Sequence, residues 1–509
     1  MEECCRKTQR RFPATASRIW GLALPLMAVS ALAVLVAFRR SNSPFDLNYW
    51  AWRLAFRSSG NYNSTAAVAV EASGAPENAI SVDYSLRPPN AAPPPEVGAV
   101  DSPLPFVTTD NQSSSRPRTR QKFKNLHFLE GKLQQARSSI RSPKPPLKQD
   151  LDYVPTGPAY WNAPAFHRSY LEMEKQMKVY VYSEGEQPIF HNGPCGSIYS
   201  MEGNFIYKIE NSGFRTKDPN KAHVFFLPFS VASIVRFVYD RSVEYYWEPM
   251  KGVVEDYIHL IAAKYPFWNR SLGFDHAMLS CHDWGPELSK SVPELFNNSI
   301  RALCNANTSE GFDPSKDVSI PEINLIGRRT KGLIGGLSPS KRSILAFFAG
   351  GVHGPIRPIL LEHWENRDPD IQVHRYLPKN VSYNAMMRSS RYCICPSGYE
   401  VASPRMVEAL YAGCVPVLIK DHYVPPFSDV LNWRAFSVVV PVEDIPNLKD
   451  ILTRISNRQY IRMQRRGAGV RRHFEVNLPS KRYDVLHMTL HSIWLRRLNV
   501  DLRNVVEDS

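Results

Sequence analysis

The sequence predicts an α/β protein of two doubly wound αβα domains facing a cleft, carried behind a single N-terminal transmembrane helix and a disordered stem. Three observations lead there. Short apolar runs of buried-strand type alternate with helical patterns along 151–342 and again along 343–509, the signature of parallel βαβ units. A 20-residue stretch near the N-terminus carries no charge. The segment that follows it is rich in Ser, Ala, Asn and Pro and too poor in apolar surface to fold.

The uncharged stretch is Ile19 to Phe38, long enough to span a bilayer as a helix. Arg6, Lys7, Arg10, Arg11 and Arg18 precede it, and only Arg39 and Arg40 follow closely. The positive-inside rule then leaves residues 1–18 in the cytosol and the rest of the chain in a lumen. The run is longer than a secretory h-region and lacks a small-residue cleavage site after it, so it reads as a retained anchor. The stem occupies 39–150. Near 122–141, Leu126, Leu129, Leu133, Ala136 and Ile140 recur at spacings of three and four. Such a seam suits homo- or heterodimeric pairing or docking on the catalytic body, and two heptads are marginal alone.

Charge excludes one function class. The net charge is +14, but residues 116–150 hold ten Lys/Arg against two acids and residues 1–18 add +3, so the part after 150 carries only +5. The basicity belongs to a tether, and no nucleic-acid partner is expected. A luminal address fits sequons at Asn63, Asn111, Asn269, Asn297, Asn307 and Asn380 as glycosylation sites. It also suits disulfides among Cys195, Cys281, Cys304, Cys393, Cys395 and Cys414, with Cys281–Cys304 the preferred local pair. A C-x-C metal site at Cys393 and Cys395 is the alternative, but no matching His/Cys set lies nearby and no metal is expected.

In the first domain, strands are expected at 178–182, 222–227 and 273–279, with helix at 202–211 and through much of 230–265. Residues 305–342 read as a linker. In the second, 344–349 is a buried strand and 350–354 a glycine-rich turn, and Pro355 opens a helix bearing Arg357. A strand at 371–376, a helix at 382–389 and a compact strand–loop–helix–strand unit over 391–419 follow, with C-terminal helices from 451 to 498 packing back. Two αβα domains joined by a linker describe a GT-B-like architecture, whose ligands lie at the carboxyl ends of strands.

The loop at Gly350 and Gly351 can bring backbone N–H groups to a diphosphate that Arg357 neutralises. Ser403 is the expected N-cap of the helix in 391–419, with Arg405 in its first turn and Glu408 one turn on. An Arg for phosphate and a Glu for sugar hydroxyls suit a nucleotide-sugar donor. Asp275, His276, His282 and Asp283 cluster near the end of a strand. Asp283, His276 and Asp275 are the general-base candidates for deprotonating an acceptor hydroxyl. Glu184 and His191 are weaker candidates for acceptor contacts. Asp368-Pro369-Asp370 is a D-x-D, but it precedes a strand and so lies at the amino edge, away from the ligands.

MEGNFIYKIE (201–210), FRTKDPNKAHVFFLPFSV (214–231), FWNRSLGFDHAMLSCHDWGP (267–286) and SGYEVASPRMVEALYAGCVPV (397–417) resemble the exostosin-type glycosyltransferases of family 47, most closely the plant Golgi branch. The resemblance implies an inverting GT-B enzyme, a type II Golgi membrane protein that uses a nucleotide sugar, usually a UDP-sugar, without a cofactor. The acceptor would be a polysaccharide or glycoprotein, such as pectin or hemicellulose side chains. The family's S-x-R-x-x-E-A-L element falls on Ser403, Arg405, Glu408, Ala409 and Leu410, with Arg405 and Glu408 as donor-binding residues. Glu400 and Glu408 also have the E-x7-E spacing seen in many such enzymes. Animal members often carry a second transferase domain, which is not seen before residue 509, so copolymerase activity is not expected.

Overall fold

The computed structural model describes residues 116–142, 152–325, 330 and 332–507. The anchor at 19–38, the stem to residue 115, and Asn63 and Asn111 lie outside them. Among the described residues no helix is long and apolar enough to cross a membrane.

The described residues begin with α1 (Arg116–Arg141) and α2 (Ala163–Gln176) and then enter the first αβ run. This consists of β1 (Val179–Val181), α3 (Ser200–Glu210), β2 (Arg215–Thr216), β3 (Val224–Phe226), α4 (Val231–Val238), α5 (Trp247–Lys264) and α6 (Pro266–Ser271). It continues through β4 (His276–Ser280), α7 (Gly285–Ser289), α8 (Pro293–Asn297), β5 (Ile300–Leu303) and β6 (Val318–Ser319). The second run is β7 (Ile344–Ala349), α9 (Ile356–Trp364), β8 (Ile371–His374), α10 (Tyr383–Ser389), β9 (Ser390–Pro396), α11 (Arg405–Tyr411), β10 (Val415–Ile419) and β11 (Val438–Val440). Four helices close the chain: α12 (Leu448–Thr453), α13 (Asn457–Val470), α14 (Val485–Asn499) and α15 (Leu502–Glu507).

Two parallel sheets result, ordered β2-β1-β3-β4-β5-β6 and β11-β10-β9-β7-β8. Their central strands, such as β3, β4 and β10, are buried at every residue. Helices covering both faces of a parallel sheet require such continuous apolar runs. Both sheets share one topology. In each, the first strand is flanked by the second and the third, so strand order reverses between β1 and β3 and between β7 and β9. That reversal leaves a crevice at the carboxyl edge, where open α/β sheets take ligands.

The structure revises the expected linker at 305–342. Its first part is the edge strand β6, and Ile320, Ile323 and Leu325 beyond it are buried in the first core. A two-residue strand among turn residues leaves no readable periodicity. The structure also assigns the stem seam. Leu126, Leu133 and Ala136 are buried within this chain, Glu130 of α1 pairs with Arg497 of α14, and Arg137 donates to the carbonyls of Leu498 and Val500. These apolar positions are therefore not available to pair with a second copy. Helix α14 lies against β5 and β6, where Arg496 donates to the Asp317 carbonyl, so the chain's end covers the first sheet.

Candidate active site

The loops after β7 and β9 meet at the crevice of the second sheet. They touch backbone to backbone: a Cβ on Gly354, whose φ is +68°, would come within 1.9 Å of the Gly398 carbonyl oxygen. Only glycine permits that approach. Arg357, from the first turn of α9, lies over Gly398 and donates to the Gly351 carbonyl at 3.4 Å. Arg405 opens α11, donates through Nη2 to the Ala349 carbonyl at 3.0 Å and rests on the Phe348 ring. Two guanidiniums thus converge where the strand order reverses. Burial, together with Arg405 beside it, brings the Arg357 guanidinium down to about 10. The Arg357 Nε and Arg405 Nη1 groups are buried and have no partner among the described residues. Buried donors left unpaired are costly unless a ligand meets them.

Arg405 and Glu408, expected as neighbours on one helix face, are joined through a residue that the sequence reading missed. Arg405 Nε donates to the Tyr383 hydroxyl at 3.2 Å, and that hydroxyl donates to Glu408 Oε2 at 3.1 Å. Tyr383 sits at the start of α10, and nothing in its local sequence separates it from an ordinary helical tyrosine. Ser403 caps less than expected. Pro404 takes the cap position, and Ser403 Oγ accepts only a 3.4 Å bond from the Arg405 N–H.

Carboxylates face this cationic side. Asp283 follows β4, at the carboxyl edge of the first sheet, and accepts a bond from the Tyr199 hydroxyl at 3.2 Å. Burial raises its pKa to about 6, with Glu310 adding to the rise. Glu400, from the loop after β9, reaches across to the first domain and accepts from Asn305 Nδ2 at 2.8 Å. The same amide serves Glu310 and the Asp283 carbonyl. Burial and the neighbouring Glu310 and Asp283 charges lift Glu400 to about 8. Glu400 therefore ties the loop after β9 to the loop after β5.

Glu322, just beyond β6, is the second residue that the sequence reading missed, because it lay in the supposed linker. Only 6% exposed, it feels the negative charges of Asp283 and Glu408 and the positive charges of Arg357 and Arg405. Burial above all pushes its pKa well above the ordinary carboxylate range. A third, Glu202, holds the end of β4 in place. Its carboxylate accepts from the N–H groups of Ala232, Cys281 and His282 and from the Ser230 hydroxyl.

The structure separates the other base candidates from the cleft. Asp275 and His276 stand at the amino end of β4, opposite the crevice. Asp275 is tied to Arg270 and Ser271, and His276 joins the Asp275 carboxylate to the Tyr182 hydroxyl inside the core. Both are fully buried, so neither can meet an acceptor; the five-residue strand β4 runs from them towards Asp283. His282 lies near Asp283, but burial lowers it to about 4 and its Nδ1 accepts from the Trp284 N–H. Glu184 and His191 are engaged locally with Lys264, Tyr265 and Glu210.

Comparison with known proteins bears on this geometry. The exostosin GT47 domain model matches residues 173–455, more than half of the chain. The chain belongs to the exostosin GT47 family. It is a glycosyltransferase. A protein of Arabidopsis thaliana named a probable glycosyltransferase is 66% identical over 405 residues, covering 78% of each chain. A second, likewise named, is 51% identical over 406 residues, or 78% of this chain and 84% of its own. A probable glucuronoxylan glucuronosyltransferase of the same plant is 26% identical over 353 residues, covering 62% of this chain and 72% of its own.

In this GT47 chain, Asp368 and Asp370 both pair with Lys449 before β8, at the amino edge of the second sheet. Cys281 is bonded to Cys304, the expected pair, and Cys393 to Cys414. The latter bond takes Cys393 out of any C-x-C metal site and ties β9 to the chain entering β10, around the unit that carries Arg405. Of the sequons, Asn269, Asn297 and Asn380 are exposed. Asn307 is corrected: it is 7% exposed, and its Nδ2, the atom a glycan would take, donates to Glu310.

Proposed function

We propose that this GT47 chain transfers a sugar from a nucleotide-sugar donor, a UDP-sugar, to a glycan acceptor with inversion at the anomeric carbon. The observation that carries the reading is the pair of buried guanidiniums, Arg357 and Arg405, with unpartnered N–H groups at the β7/β9 crevice. Fixed cations aimed at a diphosphate stabilise the charge that builds on a leaving group. The Gly350 N–H is spent on the His374 carbonyl at 3.1 Å, so of the two expected glycines only Gly351 offers its N–H to that cradle, and Glu408, oriented by Tyr383, accepts from donor hydroxyls. In this reading the two arginines carry the charge compensation, and no cofactor takes part.

On the facing side, Asp283 is the general base. Its pKa of about 6 suits a group that must be ionised near neutrality yet still take a proton. An acceptor hydroxyl held against Asp283 gives up its proton as its oxygen attacks the anomeric carbon, and the bond to the diphosphate oxygen breaks. Glu322, within reach of the Asp283, Arg357 and Arg405 charges, takes the protonated form that burial favours and hydrogen-bonds the reacting sugar. The uncharged run at 19–38 and the basic residues before it support a type II Golgi membrane protein with a luminal catalytic body. The glucuronosyltransferase relative supports a wall-polysaccharide acceptor.

The test is UDP binding to the full-length protein, read as a rise in melting temperature. Wild type should be stabilised by UDP and Arg405→Ala should not respond. A wild-type protein whose melting temperature UDP leaves unchanged would refute the donor assignment.

A further inference from the structure

The first sheet has its own crevice, between the loops after β1 and β3, and nothing above places a ligand there. It holds a cavity of about 510 Å³, within the range of small-ligand sites. One bank is the loop after β1, including Asn192, Ser197 and Tyr199, and the other is the outer face of α4, with Ser233, Arg236 and Phe237. Backbone packing fixes the first bank: a Cβ on Gly203 of α3 would meet the Gly193 carbonyl oxygen at 2.3 Å. His191 and Ser197 are held at φ of +53° and +67°, a conformation that non-glycine residues adopt at a cost and that recurs at ligand sites.

Tyr199 joins the cavity to the proposed base. Its side chain lines the cavity and its hydroxyl donates to Asp283, so the base lies one side chain away from the lining. Ser233, in the first turn of α4, is buried, whereas Arg236 and Phe237 one turn on are exposed, Phe237 by 53%. The second bank therefore runs from a closed inner end to an open rim. An exposed aromatic beside hydroxyl and amide groups matches a sugar, which presents an apolar face and a ring of hydroxyls. The rim is also charged. Arg236 lies over the Phe237 ring and pairs with no carboxylate among the described residues. A guanidinium free to form a two-pronged contact selects a carboxylate.

We propose that this crevice binds the acceptor and that the acceptor is an acidic oligosaccharide, one whose uronate carboxylate meets Arg236 while a hydroxyl of its growing end reaches Asp283. This rests on the transferase reading above. It adds the class of acceptor and the residues that select it. Tyr199 and Phe237 stack sugar rings, and Asn192, Ser197 and Ser233 meet hydroxyls.

The full-length protein, in the presence of UDP, is titrated with α-1,4-linked trigalacturonate and with its carboxyl-reduced counterpart, and binding is followed calorimetrically. Wild type should bind the acidic trisaccharide at least about tenfold more tightly, the factor that one charged contact of roughly 1.4 kcal/mol supplies. Arg236→Glu should erase that preference, and Phe237→Ala should weaken both ligands while keeping it. Melting temperatures without ligand check that each variant is folded. Equal binding of the two trisaccharides by wild type, no binding of either, or a preference that survives Arg236→Glu overturns the proposal. The UDP response of wild type reads the donor site separately: if it is present while the trisaccharides fail, only the acceptor assignment falls.

Discussion

The carboxyl edges of the two sheets are topological copies with opposite chemistry. Each opens where strand order reverses, β1 beside β3 in one sheet and β7 beside β9 in the other. The second sheet's crevice converges two guanidiniums on a glycine-lined floor, and the first sheet's edge presents Asp283 with Glu310 and Glu322 close by. Topology supplied the place twice, and loop residues decided the charge. The opposition is chemically useful: a diphosphate seeks the cationic side, and a hydroxyl that must lose a proton seeks a carboxylate. Fold alone would have predicted two equivalent sites.

Substitutions can disable either edge separately. The largest effect is expected at Asp283. Asp283→Asn should lower turnover by about 10²–10⁴-fold while UDP still raises the melting temperature. In wild type, turnover should fall as pH drops through about 6, because the base must be ionised, and the variant should lack that limb. An Asp283→Asn enzyme with wild-type turnover would move the base elsewhere, with Glu322 next in line. A smaller effect is expected on the cationic side. Tyr383→Phe removes the hydroxyl between Arg405 and Glu408, about 1–1.5 kcal/mol, and should raise the donor KM about tenfold with little change in acceptor binding. An unchanged donor KM would show that Arg405 is held by Ala349 and Phe348 alone.

The smallest effect concerns the seam. Glu400 has its pKa raised to about 8 by burial and by Glu310 and Asp283. A raised carboxyl pKa favours the folded form when protonated, so its contribution is complete below the ordinary carboxylate range and is lost as pH rises through about 8. The melting temperature of wild type should therefore fall between pH 6 and pH 9 more steeply than that of Glu400→Gln, whose amide imitates the protonated acid. Parallel curves would show that Glu400 titrates as an ordinary surface carboxyl.

Much of the second domain was legible because its signals are local. The strand at 344–349, the glycine turn after it, Arg357 in the following helix and the unit over 391–419 all declare themselves within a few residues. Asp275 and His276 misled for a related reason. They adjoin Asp283 in sequence, but a strand lies between, and its two ends face opposite edges of the sheet. Tyr383, Glu322 and Glu202 were invisible because their roles come from partners far along the chain. Glu202 serves the His282 N–H across 80 positions, and Asn305 meets Glu400 across 95. The stem seam shows the same limit: spacing identified an apolar face on α1, but not that α14 would cover it.

The sequence by itself determined the place of seven strands, the glycine turn after β7 and the family, because hydrophobic period, glycine position and motif spacing act over short distances. Only the tertiary structure decided which carboxylates gather near Arg357 and Arg405, which hydroxyl joins Arg405 to Glu408, and that a second crevice lies open beside Tyr199. Those are matters of burial and juxtaposition, and burial is a property that a side chain acquires only from the rest of the fold.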